Sequence, residues 1–146
     1  MNELSTILLV EDNPDDAELL EHAFKKAGIT NPLLAVADGD AAVDYIGGTG
    51  TYADRMRHPL PELILLDLKL PRRSGFEVLG FIRGQEATRH TPVVVLTSSS
   101  QRADIQLAYE AGANSYLVKP VGRDALLEMV RSLKAYWIKL NHGVAP

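Results

Sequence analysis

The chain is expected to fold as an α/β protein, a doubly wound parallel sheet with helices on both faces. Three observations predict it. The sequence carries short, uniformly aliphatic runs, Ile7-Leu8-Leu9-Val10, Leu63-Ile64-Leu65-Leu66 and Val93-Val94-Val95-Leu96, with Tyr116-Leu117-Val118 as a further apolar run. Runs of this kind suit strands buried on both faces, since neither side has to meet water. Five apolar runs alternate with amphipathic segments, as in successive strand–helix units. The runs also lead into reactive polar residues: Glu11-Asp12, Asp67, Thr97 and, after Val118, Lys119-Pro120. Ligands of open parallel sheets sit beyond the carboxyl ends of the strands. Three carboxylates, a hydroxyl and an ammonium are therefore expected along one edge.

Strands are expected near residues 5–10, 33–37, 63–67, 92–97 and 115–118. The first helix has a clear start, with Asn13 as N-cap, Pro14 at its first position and Asp15-Asp16 in the positively polarised first turn. Its apolar stripe is Ala17, Leu20, Phe24 and Ala27, and Gly28 stops it. The second helix begins near Asp40 and fails at Gly47-Gly48. Thr49 to Glu62, with Gly50, Pro59 and Pro61, reads as an unusually long loop. Gly47-Gly48-Thr49-Gly50 is not a phosphate loop, because it lies between no strand and helix start and no Gly-Lys-Ser/Thr follows. The third helix starts near Gly75-Phe76, the fourth near Gln101, ending before Gly112. The fifth is expected from about Asp124 to Leu140.

The whole chain of 146 residues is expected to form one domain. Its 46% hydrophobic and 23% charged content is that of an ordinary globular protein. A net charge of −4 argues against nucleic acid or an anionic membrane as partner. No cysteine is present, which removes disulfides and thiol chemistry. Met1-Asn2-Glu3-Leu4 lacks the pattern of a signal peptide, and no apolar stretch approaches the ~20 residues of a membrane span, so a cytoplasmic location is expected. His22, His58, His90 and His142 show no metal-ligand spacing.

Glu11, Asp12 and Asp67 converge if the first and third strands are neighbours. Like charges this close disfavour joint ionisation unless something positive intervenes. A hard divalent cation with oxygen ligands resolves the conflict, and Mg2+ commonly takes one or two carboxylates together with waters and phosphate oxygens. A carboxylate beside such a metal can attack phosphorus and form an acyl phosphate. The plainer alternative is that Glu11 and Asp12 merely favour a helix N-terminus and Asp67 begins a turn; Thr97 and Lys119 at the same edge weigh against it.

From residue 5 to about 141 the chain resembles the receiver domains of two-component response regulators. The matching motifs are Leu9-Val10-Glu11-Asp12-Asn13, Asp67 with Pro71 and Gly75, Thr97-Ser98, and Lys119-Pro120, at matching intervals. The resemblance implies a flavodoxin-like sheet of order 2-1-3-4-5. It implies that Asp67 accepts a phosphoryl group from a histidine kinase, with Mg2+ held by Asp12, Asp67 and the Lys69 backbone carbonyl, and Glu11 acting through water. Thr97, with Ser98 beside it, would contact the phosphoryl oxygen, and Lys119 would pair with it. The Lys119–Pro120 bond is expected to be cis. Tyr116 stands where receivers carry an aromatic switch that remodels the helix 4–strand 5–helix 5 face. Lys69, two residues after Asp67, occupies a position that commonly influences phosphate lifetime in the family.

The fifth helix carries Leu126, Val130, Leu133, Trp137 and Leu140, an apolar repeat averaging about 3.5 residues. At 1.5 Å per residue it spans roughly 25 Å and should outrun a strand of about 13 Å. Its far end, Tyr136, Trp137 and Leu140, is expected to form a contact surface. The tail Tyr136-Trp137-Ile138-Lys139-Leu140-Asn141 also resembles single-domain receivers paired with phytochrome-type kinases, which implies a homodimer. Three rivals remain. A phosphatase of the haloacid dehalogenase type generally needs a second aspartate where Lys69 stands. A flavin carrier would meet repulsion from Glu11-Asp12. A receiver-shaped scaffold that signals without phosphorylation would not need the five chemical residues.

Overall fold

The structure, a computed structural model, describes residues 1–143. Five parallel strands, β1 (Ile7–Val10), β2 (Leu33–Val36), β3 (Leu63–Leu66), β4 (Val93–Thr97) and β5 (Ser115–Val118), form one sheet in the order β2-β1-β3-β4-β5. The expected order is borne out. β1 lies between β2 and β3 with Val10 in register with Val36 and Leu66, so the carboxyl ends of β1 and β3 are flush. All residues of β1, β3 and β4 are buried. The edge strands β2 and β5 are only partly covered.

Alternation along the strands feeds two cores. Ile7 and Leu9 of β1 pack with Leu20, Ala23 and Phe24 of α1 (Pro14–Lys26) and with Val130 and Leu133 of α5 (Arg123–Leu133). Leu8 and Val10 face the other way, toward α2 (Gly39–Gly47), α3 (Gly75–Gly84) and Ala108 of α4 (Arg102–Glu110). Each fully buried aliphatic side chain contributes about 1.5–3 kcal/mol, and a one-residue slip would exchange the two faces.

Polar caps set the starts of α1, α2 and α3. The Asn13 side chain accepts from the N–H groups of Asp15 and Asp16, and Ser74 with Glu77 closes a reciprocal capping box on α3. Asp38 caps α2 through the Ala41 N–H, so that helix starts one residue earlier than expected. The long connection to β3 is ordered. Arg55 donates to the carbonyls of Tyr45, Ile46 and His58, and Tyr45, Tyr52 and His58 meet edge to face. The Tyr45 hydroxyl donates to Pro59 O at 2.6 Å. This cluster folds the segment back on the end of α2.

Two expectations need correction. The last helix does not continue as an α-helix to Leu140, since Lys134–Leu140 is π-helical. The i→i+5 spacing of a π-helix aligns Ile138 with Leu133, and both are buried. Trp137 is half-buried against the same core, leaving Tyr136 and Leu140 exposed at 53% and 68%. The expected Tyr136, Trp137 and Leu140 surface is thereby divided. Lys134 also donates to Ala27 O at 2.9 Å, fastening this segment to the end of α1. Further, the Lys119–Pro120 bond is trans, as is every peptide bond among the described residues. Trans is the lower-energy form by about 0.5–1 kcal/mol, and Lys119 reaches its partners without the cis form.

The π-helical register makes a testable distinction. Ile138→Ala should cost about 2–5 kcal/mol in urea unfolding, whereas Leu140→Ala should stay within about 0.5 kcal/mol of the parent. Equal effects would contradict the i→i+5 alignment.

Candidate functional site

Backbone bonding continues beyond the strands and holds the polar residues in place. Glu11 N donates to Val36 O at 3.0 Å, Asp67 N to Val10 O at 3.0 Å, and Lys119 N to Thr97 O at 2.8 Å. Glu11, Asp12 and Asp67 thus meet at the carboxyl edge of β1 and β3. Each offers a carboxylate oxygen, and these oxygens lie within 4.8 Å of one another. Glu11 and Asp67 are buried, whereas Asp12 is exposed at the mouth.

The countercharge is Lys119. Its Nζ lies 2.5 Å from Glu11 Oε1, 3.0 Å from Asp67 Oδ2 and 3.1 Å from Asp16 Oδ2. Burial alone would lower the ammonium's pKa. The hydrogen bonds to Glu11, Asp67 and Asp16 outweigh it and hold the group above its ordinary value, so Lys119 stays charged. Burial pushes the Glu11 carboxyl above its usual range, with Lys119 and the Asn13 N–H opposing that shift. Asp67 Oδ1 accepts from the Lys69 N–H at 3.2 Å.

Gly75 is a steric requirement of this arrangement. A Cβ there would lie 2.3 Å from Asp67 O and 2.5 Å from Leu68 Cα, and Gly75 N donates to Leu68 O at 2.8 Å. Only glycine lets the start of α3 pass so close to the backbone of Asp67.

Thr97 ends β4 fully buried, and its Oγ1 has no hydrogen-bond partner among the described residues. Buried hydroxyls are seldom left so, because the cost is about 1–3 kcal/mol. The orphan donor and the three clustered carboxylates fit a hard cation and an anionic oxygen arriving together. Ser98 is exposed, as is Lys69. The Tyr116 ring is half-buried, and its hydroxyl donates to Ser99 O at 2.9 Å. Burial raises the Tyr116 pKa. Ser99 Oγ in turn donates to Asp104 Oδ2 of α4 at 2.6 Å.

Asp16 was expected only as a dipole partner in the first turn of α1. A helix that starts directly after β1 must have its first turn at this edge, and that was the signal for a further role. Ser99 had no sequence signal, since its part depends on the path of the loop.

A parallel sheet of this order, with an acidic trio, a buried hydroxyl and a paired lysine at its carboxyl edge, defines a receiver-type site that fits phosphorylation of an aspartate. The chain belongs to the response regulator receiver domain family, whose profile matches residues 7–131. It is 41% identical over 144 residues to FilR2 of Methanothrix harundinacea (strain 6Ac), described as a probable methanogenesis regulatory protein, covering 96% of this chain and 88% of that one. It is 37% identical to the response regulator Rcp1 of Synechocystis sp. (strain PCC 6803), over 94% of this chain and 92% of the relative. The crystal structure of Mn2+-bound Rcp1 superposes with a TM-score of 0.86 at 36% identity, covering 97% and 99% of the two chains. The phosphorylated cyanobacterial phytochrome response regulator RcpA gives 0.90 at 32% identity, again over 97% and 99%.

Replacing Lys119 tests the electrostatics. Lys119→Met leaves two buried carboxylates without their cation, and the loss should be about 3 kcal/mol at pH 7. Glu11 already has a raised pKa when folded, so the folded state binds more protons than the unfolded one just above the usual carboxylate range. Stability therefore rises as pH falls through the folded value. The deficit of the variant should shrink between pH 7 and pH 5, as read by urea midpoints. A deficit that grows on acidification would refute this assignment.

Proposed function

We propose that this chain is a stand-alone two-component response regulator, taking a phosphoryl group on Asp67 from the phosphohistidine of a sensor histidine kinase. The observation that carries the reading is the juxtaposition of buried Asp67, Lys119 and the unpartnered Thr97 Oγ1 within an acidic cluster. An Asp67 carboxylate oxygen attacks phosphorus in line with the leaving nitrogen. The new O–P bond forms as the P–N bond breaks, and the imidazole keeps the electron pair. Lys119 offsets the negative charge that accumulates, and Thr97 donates to a phosphoryl oxygen. Mg2+, held by Asp12, Asp67 and the Lys69 backbone carbonyl with Glu11 acting through water, would supply charge neutralisation and alignment of the phosphoryl oxygens.

The product is an acyl phosphate on the protein itself, so the only expected activities are self-phosphorylation and self-dephosphorylation. Lys69 stands where a dehalogenase-type phosphatase generally carries its second aspartate, which disfavours turnover of external esters. Among the described residues no helix is long and apolar enough to cross a membrane.

Phosphorylation would act as a population shift, favouring the conformation in which Thr97 and Lys119 meet the phosphoryl group. Tyr116 is the proposed aromatic switch. The output face is α4, β5 and α5, where Leu107, Tyr109, Val118 and Val121 are exposed. A homodimer through this face, extended by Tyr136 and Leu140, would cover them. A phytochrome-type kinase is the proposed partner on the strength of RcpA. FilR2, described as a probable methanogenesis regulatory protein, leaves a different pathway open as the second reading.

Incubation with acetyl phosphate and Mg2+ should give one phosphoryl adduct by intact mass, abolished by EDTA and by Asp67→Asn. Labelling that persists in the Asp67→Asn protein would defeat the assignment. Sedimentation with and without beryllium fluoride should show a concentration-dependent dimer; a monomer mass at every concentration in both states would exclude it.

A further inference from the structure

Lys119 carries three N–H donors, and three carboxylates take them up: Glu11, Asp67 and Asp16. Nothing is left over for a fourth acceptor. If a phosphoryl oxygen is to be engaged, as the proposed function requires, one of the three must let go. Their surroundings rank them. The Glu11 side chain is 2% exposed, so on losing the ammonium it would have no bulk water to turn to and would rely on the proposed Mg2+ alone. The Asp67 carboxylate is the group that becomes phosphorylated. The Asp16 side chain is 38% exposed and stands in the first turn of α1. Water and the positive end of the helix can both take over from Lys119 there.

We propose that Asp16 is a positioning residue for Lys119, a temporary acceptor that holds the third donor until a phosphoryl oxygen replaces it. Asp16 therefore competes directly with the phosphoryl group for the lysine. Its neighbour Asp15 has the same charge and helix but no bond to Lys119 among the described residues, which makes it the natural control. The N-cap survives either change, because Asn13 accepts from the Asp16 backbone N–H rather than using its side chain.

The inference rests on the phosphoacceptor reading, and the experiment separates the two. Initial rates of adduct formation are measured against acetyl phosphate concentration at fixed Mg2+ for the parent, Asp16→Asn, Asp16→Glu and Asp15→Asn. Removing the competing acceptor should lower the half-saturating donor concentration about threefold, the scale of a partly exposed ion pair. The maximal rate should stay within about twofold, since the lysine and the nucleophile are unchanged. Asp16→Glu should restore most of the parent value, and Asp15→Asn should leave it near the parent's. Thermal midpoints confirm that each variant is folded. Asp16→Asn kinetics matching the parent would overturn the inference while leaving the phosphoacceptor reading intact. Equal shifts in Asp15→Asn and Asp16→Asn would also overturn it, because bulk charge would then explain the effect. A parent protein that takes up no phosphoryl group would overturn both.

Discussion

The constraint on which this molecule turns is the repulsion among carboxylates at the carboxyl edge of β1 and β3. The flush register of those strands places Glu11, Asp12 and Asp67 together, and the backbone bonds from Glu11 N and Asp67 N leave them little freedom to separate. Lys119 offsets part of that repulsion from across β4. A site in this state is poised rather than relaxed. It has one compact cation for several acidic oxygens, and it gains from any further positive charge. Under the proposed function, that shortage of positive charge favours a bound cation and a phosphoryl group that comes with one.

Much of this was legible in the sequence because the relevant signals are local. Four-residue aliphatic runs such as Leu63–Leu66 suit the middle of a parallel sheet, where both faces are covered, and the residue after such a run then falls at the ligand edge. Asn13-Pro14 and Gly75 likewise speak through backbone chemistry confined to a few residues. The parts that stayed hidden depend on the packing of distant segments. The turn from α- to π-helix after Leu133 arises because Ile138 finds a place in the α1–α5 core, which a heptad-like spacing conceals. The Arg55 cap on α2 is equally non-local, since a glycine- and proline-rich stretch reads as a loose loop until its arginine meets the open carbonyls. The cis expectation at Pro120 came from family likeness alone, with no independent residue-level signal behind it.

The helix N-terminus illustrates how one residue can satisfy two readings. Asp16 suits the dipole of α1, and that account is complete in itself at the level of local structure. Only the fold brings the last strand's lysine to it across 103 positions of sequence. Chemistry at the edge of a parallel sheet is therefore shared between residues that end strands and residues that begin the following helices. The second group is the harder to recognise, because capping already explains it.

The connection from the site to the face formed by α4 and β5 is short and physically specific. Thr97 ends β4, and Ser99 follows two residues later in the loop to α4, where its carbonyl accepts the Tyr116 hydroxyl and its own hydroxyl donates to Asp104. Under the proposed function, drawing the Thr97 hydroxyl toward a phosphoryl oxygen pulls on the chain that carries both of these bonds. Tyr116 then loses its fixed partner on the outer side, while the α4 end of the loop loses the tether to Asp104. Release of the ring and loosening of α4 are in this view one event. On that reading the buried hydroxyl matters because, having no partner among the described residues, Thr97 would break no existing side-chain hydrogen bond in moving. A Thr97 already bonded within the protein would have to exchange one interaction for another, and the coupling from phosphoryl group to surface would weaken accordingly.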